Sequence, residues 1–188
     1  MKSQFKELPG IVKRLSDSGS ETTYRELFNV LYFPLKKFSF CMLHSNEEAE
    51  EVAEDVLMTL WYKRKSLHVI RNVHVFALII ARNLSLNVLK KKSKNKTSSL
   101  DEIDVSFFFD NSTPEQIIID NELKKRLESA IQSLPPKCQL VFKLAKENNL
   151  SYREIGEVLS ISVKTVDSHL VTATQKLAKI FKEEFQIK

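Results

Sequence analysis

Residues 150–177 read LSYREIGEVLSISVKTVDSHLVTATQKL, and their spacing describes two short helices joined by a tight turn. Ser151 can cap a first helix whose Ile155, Val158 and Leu159 face inward, and Gly156 allows close approach of a neighbouring helix. Ile161 falls in the turn, and Ser162 can cap the next helix. Val163, Val166 and Leu170 then point back into a core, leaving Lys164, Thr165, Asp167, Ser168 and His169 on the outer face near the helix start. In a helix-turn-helix, that part of the second helix meets base edges in the DNA major groove. Lys164 suits a phosphate better than a base. Asp167 can accept a hydrogen bond from cytosine or support the amino-terminal dipole, and His169 can read a base or be an exposed polar residue. Many helical hairpins share this periodicity, so spacing alone also admits a helical pair without DNA.

Working outward, the segments 115–134, 135–146, 151–159 and 162–181 are all helical by spacing and propensity, with Pro135-Pro136 and Asn148-Asn149 as breaks. Upstream of Thr113-Pro114-Glu115, which reads as a helix start, residues 93–113 are rich in Ser, Asn, Lys and Asp without sustained periodicity, as in a linker. Phe107, Phe108 and Phe109 interrupt it, and such a cluster is expected to pack on a domain or a partner.

A first helical block precedes the linker. Leu27, Leu31, Leu35, Phe38 and Met42 recur at helical spacing, with Pro34 either a kink or the first position of a second helix. SNEEAEEVAEDVLMTLWYKR, residues 45–64, follows with Ser45 or Asn46 as cap and Ala49, Val52, Ala53, Val56, Leu60 and Trp61 on one face. Its other face carries Glu47, Glu48, Glu50, Glu51, Glu54 and Asp55, and Lys63, Arg64 and Lys65 come at the end, matching the helix macrodipole. After the non-periodic KSLHVIRNVH, a third helix begins near Val73 with Phe76, Ala77, Ile80, Leu84 and Val88 as an apolar stripe. Its far end is basic: Arg82, Lys90, Lys91, Lys92, Lys94 and Lys96 occur without an acid among them.

The fold class is therefore all-α, with two small helical domains at 20–92 and 115–182 joined by a flexible linker at 93–114. The composition agrees: 43% hydrophobic and 28% charged residues with only three Gly describe a soluble, helix-rich protein. The formal charge of +5 raises the prospect of a polyanionic partner. Cys41 and Cys138 lack the paired spacing of a zinc site or disulfide framework and read as buried thiols. The start MKSQFKELPG has no leader-like apolar run, and the apolar stretch from Val73 to Ala81 is too short to span a bilayer, so a cytoplasmic location is expected. No metal, cofactor or small-molecule substrate is expected. The four His are scattered, no glycine-rich phosphate loop is present, and no nucleophile-base-acid set can be assembled, so the chain does not read as an enzyme.

The order of these parts resembles the extracytoplasmic-function (ECF) sigma factors of the sigma-70 family, over about residues 20–92 and 115–182. NEEAEEVAEDVLMTLW, FALIIARNLSLNVLKKK, LPPKCQLVFKLA and LSYREIGEVLSISVKTVDSHL carry the resemblance together. It implies that the first domain docks on the clamp of core RNA polymerase and opens the promoter −10 element, and that the second reads the −35 element. Glu50, Glu51, Glu54 and Asp55 would meet basic clamp residues, where electrostatics favour fast, oriented encounter; the plain alternative is a solvated acidic face. Arg82, Asn83, Asn87, Lys90, Lys91 and Lys92 match the family's −10 face, although Arg82 and Asn83 can instead brace the helix. The loop from His68 to His74 would hold a flipped-out base, with Arg71 and Asn72 as polar candidates. Trp61 is the family's terminal aromatic, better placed for core packing than for contact. Glu51, Glu54 and Leu57 stand where many relatives carry Asp, Gln and Phe. The resemblance also implies a membrane-linked anti-sigma factor as partner, alongside core polymerase and promoter DNA.

Two other readings compete. ISVKTVDSHLVTATQKL also resembles the output segment of response-regulator transcription factors, but residues 20–92 offer no alternating strands for a receiver domain. A helical module that mimics a sigma factor would bind protein without DNA, which the basic helix end and the recognition segment oppose.

Overall fold

The structure is a computed structural model and describes residues 5–95 and 122–185. Every regular element among them is helical. The chain divides into two compact units, the first holding the helices before residue 96 and the second those after residue 121, apart from the end of one short helix.

The first unit opens with α1, Leu8–Ser18, an element that the sequence reading did not anticipate. Pro9 stands in its first turn, where a missing N–H costs nothing. Gly19 ends it in the left-handed region (φ 61°) while donating its N–H to the Leu15 carbonyl. Leu8, Ile11, Val12 and Leu15 are buried, so α1 packs on the rest of the unit and does not trail from it. α2, Glu21–Leu43, runs without interruption through Pro34. Its buried Leu27, Leu31, Leu35, Phe38 and Met42 are the face read from spacing, and the left-handed His44 closes it.

Ser45 then caps α3, Asn46–Tyr62, its hydroxyl accepting from the Glu48 N–H at 3.4 Å. α3 lays Ala49, Val52, Ala53, Val56, Leu57 and Leu60 against α2 and α4. Trp61 is only half-buried: the indole meets Tyr24 at 4.9 Å, and the Arg64 guanidinium lies 4.1 Å from its centroid. The non-periodic stretch contains a 3-10 helix, Arg64–Val69, against which α1 packs, with Ser16 Oγ donating to the Arg64 carbonyl at 2.7 Å.

α4, Val73–Asn95, crosses the unit's centre. Of the stripe expected on its core face, only Ala77 is fully buried. Ala77, Leu78, Ala81, Ser85 and Leu89 are buried, whereas Phe76, Ile80, Leu84 and Val88 are half-buried. Ala77, Ala81 and Ser85 let α2 and α3 approach closely, Leu78 and Leu89 fill the remaining inner face, and Phe76, Ile80, Leu84 and Val88 lie toward its flanks. The helix also continues past Lys92 to Asn95, into the stretch read as linker. By length and composition only, Val73–Ser93 is long and apolar enough to cross a membrane, a test that the core helix of a soluble protein also passes. In this fold that apolar length supplies the surface on which α2 and α3 pack.

The second unit contains α5, Glu122–Gln132, α6, Pro136–Lys146, the short α7, Tyr152–Leu159, and α8, Val163–Phe185. Ala130, Leu134, Cys138, Ala173 and Leu177 form a core that joins α5, α6 and α8, flanked by Ile131, Phe142, Ile180 and Phe181. Phe107 to Phe109, the helix start at Thr113-Pro114-Glu115 and residues 115–121 of the expected helix lie outside the described residues. Cys41 and Cys138 are buried free thiols, as expected.

Candidate nucleic-acid interface

Local chemistry builds the turn before α8. Ser151 and Glu154 form a reciprocal cap on α7: the Glu154 N–H donates to Ser151 Oγ at 3.3 Å, and the Glu154 carboxylate accepts from the Ser151 N–H at 2.9 Å. Ile161 donates its N–H to the Gly156 carbonyl at 3.0 Å. A Cβ on Gly156 would stand 2.8 Å from the Ile161 carbonyl oxygen, so the glycine is required by the returning turn and not by a neighbouring helix. Ser160 takes the left-handed conformation that reverses the chain. Ser162 then caps α8, its Oγ accepting from the Thr165 N–H at 3.0 Å.

The five outer-face residues divide. Lys164, Asp167 and Ser168 are exposed. Thr165 is half-buried, with its hydroxyl bonded to Ser162 at 2.8 Å. His169 is turned partly inward, Nδ1 lying 3.6 Å from the Cys138 thiol of α6. Burial, then the nearby Lys137 charge, lowers the His169 pKa. Val163, expected in the core, is 50% exposed. The inner face is complete without it, because Val166, Leu170, Ala173 and Leu177 already occupy successive steps of four, three and four. Extended back by its next step of three, that series lands on Val163, so spacing gave no signal that this residue lies outside. Arg153 and Tyr152, at the start of α7, are also exposed on this motif and were not singled out from sequence.

In the first unit the acidic candidates fare unequally. Glu51, Glu54 and Asp55 are exposed on α3. Glu50 is half-buried and paired with Lys36 of α2 at 2.5 Å, and Glu48 is paired with Lys92 of α4 at 2.7 Å. Both pairs tie α3 to its neighbours and subtract from the charge the acidic face presents. Lys36 has its pKa raised, first by the hydrogen bond to Glu50.

On α4, Asn83, Asn87, Lys90 and Lys91 are exposed. Arg82 is half-buried and donates to Asn83 Oδ1 at 3.3 Å, with desolvation lowering its pKa. Lys92 is committed to Glu48. In the loop before α4, Arg71 is exposed, but Asn72 spends its carboxamide oxygen on the Val75 N–H at 3.2 Å as a helix cap. His74 is buried and stacks on Phe5 with ring centroids 3.9 Å apart. No cluster suited to a metal ion is found among the described residues.

Comparison with known proteins is consistent with this division. Residues 24–95 match the family described as Sigma-70 region 2, and residues 124–177 match Sigma-70, region 4. The ECF RNA polymerase sigma factor SigW of Bacillus subtilis is 24% identical over 178 residues, covering 90% of this chain and 95% of its own. The fold is similar to that of the sigma factor RpoE of Bartonella quintana, solved in complex with the anti-sigma factor NepR, with a TM-score of 0.60 at 18% identity over 85% of this chain and 96% of that one. CnrH, solved with the cytosolic domain of CnrY, gives a TM-score of 0.58 at 15% identity over 93% of this chain and 97% of its own. Two sigma-70 regions in the right order, borne on an all-helical chain of matching length, establish that this protein belongs to the ECF sigma factors of the sigma-70 family.

Proposed function

We propose that this chain is a cytoplasmic, non-enzymatic specificity subunit that binds core RNA polymerase and directs it to particular promoters. The observation that carries the reading is the separation of charge on the first unit. Exposed Glu51, Glu54 and Asp55 lie on α3, and exposed Lys90 and Lys91 lie at the end of α4. One helix thus suits a basic clamp surface and the other suits phosphates.

In this reading residues 20–92 hold the polymerase and −10 contacts, 93–114 form the tether and 115–182 contact the −35 element. Glu51, Glu54 and Asp55 are the principal clamp contacts, with Glu50 secondary because Lys36 already neutralises it. Arg71, Asn83, Asn87, Lys90 and Lys91 serve the −10 strand, while Asn72 and Arg82 act mainly by shaping the surface. Lys164, Thr165, Asp167, Ser168 and His169 serve the −35 element, joined by Arg153 for a phosphate and Val163 for a thymine methyl. Two tethered weak contacts raise each other's effective concentration, so neither unit suffices alone. The RpoE and CnrH complexes support a protein antagonist, here a membrane-linked anti-sigma factor that covers these surfaces.

Co-elution of the purified chain with sigma-free core polymerase tests the reading. A stoichiometric complex is expected, weakened on the order of tenfold when Glu51 and Glu54 are both changed to Lys. A folded chain that forms no complex with active core overturns it in favour of an ordinary helix-turn-helix transcription factor.

A further inference from the structure

We propose that Cys138 is a positioning residue for promoter reading: its buried thiol holds the His169 imidazole as the tautomer that presents Nε2–H to the DNA. The inference rests on the reading of α8 as the −35 recognition helix and specifies how one of its side chains is set.

Cys138 lies on α6, 4% exposed and within the core that joins α6 to α8. Its Sγ faces His169 Nδ1 at 3.6 Å, within the longer range of bonds to sulfur. Among the described residues that thiol is the one hydrogen-bond partner of the ring. A neutral imidazole carries one N–H and one lone pair, so a bond at one nitrogen decides what the other offers.

Burial raises the Cys138 pKa, an effect only partly offset by Lys176, so the sulfur keeps its proton at neutral pH. Burial and Lys137 lower the His169 pKa, so the ring is uncharged there. Sulfur is a weak acceptor and imidazole nitrogen a good one. The S–H therefore donates to Nδ1, and the ring proton resides on Nε2. The half-buried ring keeps that nitrogen for an outside partner, on the same helix as the exposed Lys164, Asp167 and Ser168.

An Nε2–H donor favours base edges that offer an acceptor, guanine O6 and N7 foremost, and is opposed by the cytosine amino group. The other tautomer would reverse that preference. A thiol that never touches DNA thus selects the class of base read by the helix packed on it.

Long-range 15N NMR on the full chain reads the tautomer directly. The Nε2–H form is expected in the native protein, a mixture in Cys138→Ala, and a return toward Nε2–H in Cys138→Ser, which restores a donor. Transcription from promoters varied at each −35 position provides the functional readout. The native chain should prefer guanine over cytosine at one position by about three- to tenfold. Cys138→Ala should bring that ratio close to one, and Cys138→Ser should recover part of it, with other positions unchanged.

An Nδ1–H tautomer in the native protein overturns the proposal, and that measurement stands even if the alanine variant fails to fold. So does a folded Cys138→Ala variant with native base preference at every position. If Lys164→Ala weakens promoter binding while His169→Ala does not, the positioning role falls and the reading of α8 survives; if neither matters, that reading falls too.

Discussion

α4 and α8 are both helices of 23 residues, yet they present nearly opposite surfaces. α4 buries Ala77, Leu78, Ala81, Ser85 and Leu89 beneath α2 and α3 and reserves its polar groups for its later turns. α8 buries a single narrow series, Val166, Leu170, Ala173 and Leu177, and leaves its first turns open. The same element length serves as the keel of one unit and, in the proposed function, as the reading edge of the other. The number of neighbours packed on the helix makes the difference.

Substitutions can break this contrast. The largest effect should come from Leu78→Ala, which opens a cavity in the fully buried centre of α4 and should cost about 2–5 kcal/mol in urea unfolding. Val171→Ala, at a 45% exposed site on α8, should stay within about 0.5 kcal/mol. Equal losses would mean that the two helices are packed alike. Gly156→Ala comes next. The Cβ would press on the Ile161 carbonyl and should destabilise the second unit by about 1–3 kcal/mol, visible as a lower Tm for that unit and weaker −35 binding. Unchanged stability would show that the turn has room to relax.

A smaller effect tests the reading edge itself. Lys164→Ala should lower promoter affinity about uniformly across sequences and reduce the slope of log affinity against log salt by about one, while melting stays unchanged. An unaltered slope would remove Lys164 from the phosphate contacts. The smallest effect is pH-dependent. Because the folded-state pKa of His169 is lowered, the unfolded chain takes up its proton first as the pH falls. Stability is therefore highest above the ordinary imidazole pKa of 6.5 and declines below it, until the folded protein also protonates the ring. His169→Gln should flatten that decline in Tm between pH 7 and lower pH. Cys138 and Lys137 are the groups that face the ring, and a variant with the native decline would assign it to another group.

Local signals were the most legible. Ser45, Ser151 and Ser162 each cap the helix that their position announced, since a cap depends on residues three apart in the chain. The acidic face of α3 and the basic end of α4 were read from composition and stand exposed at Glu51, Glu54, Asp55, Lys90 and Lys91. Partnerships across helices were not legible. Neither the pairing of Glu50 with Lys36 nor that of Glu48 with Lys92 leaves a periodic trace, because the partners lie on different elements. α1 escaped notice because its four buried residues acquire meaning only when the 3-10 helix and α2 are there to receive them.

By itself the sequence determined the helical class, the turn before α8, the caps and the family, because each rests on short-range spacing or on motif order. Tertiary structure alone decided which flank of α4 is inside, that Val163 lies open, that Asn72 is spent on a cap and that His169 meets Cys138. These depend on what packs against each helix. Periodicity gives the direction in which a side chain points, whereas burial and hydrogen bonding are fixed by the neighbour found there.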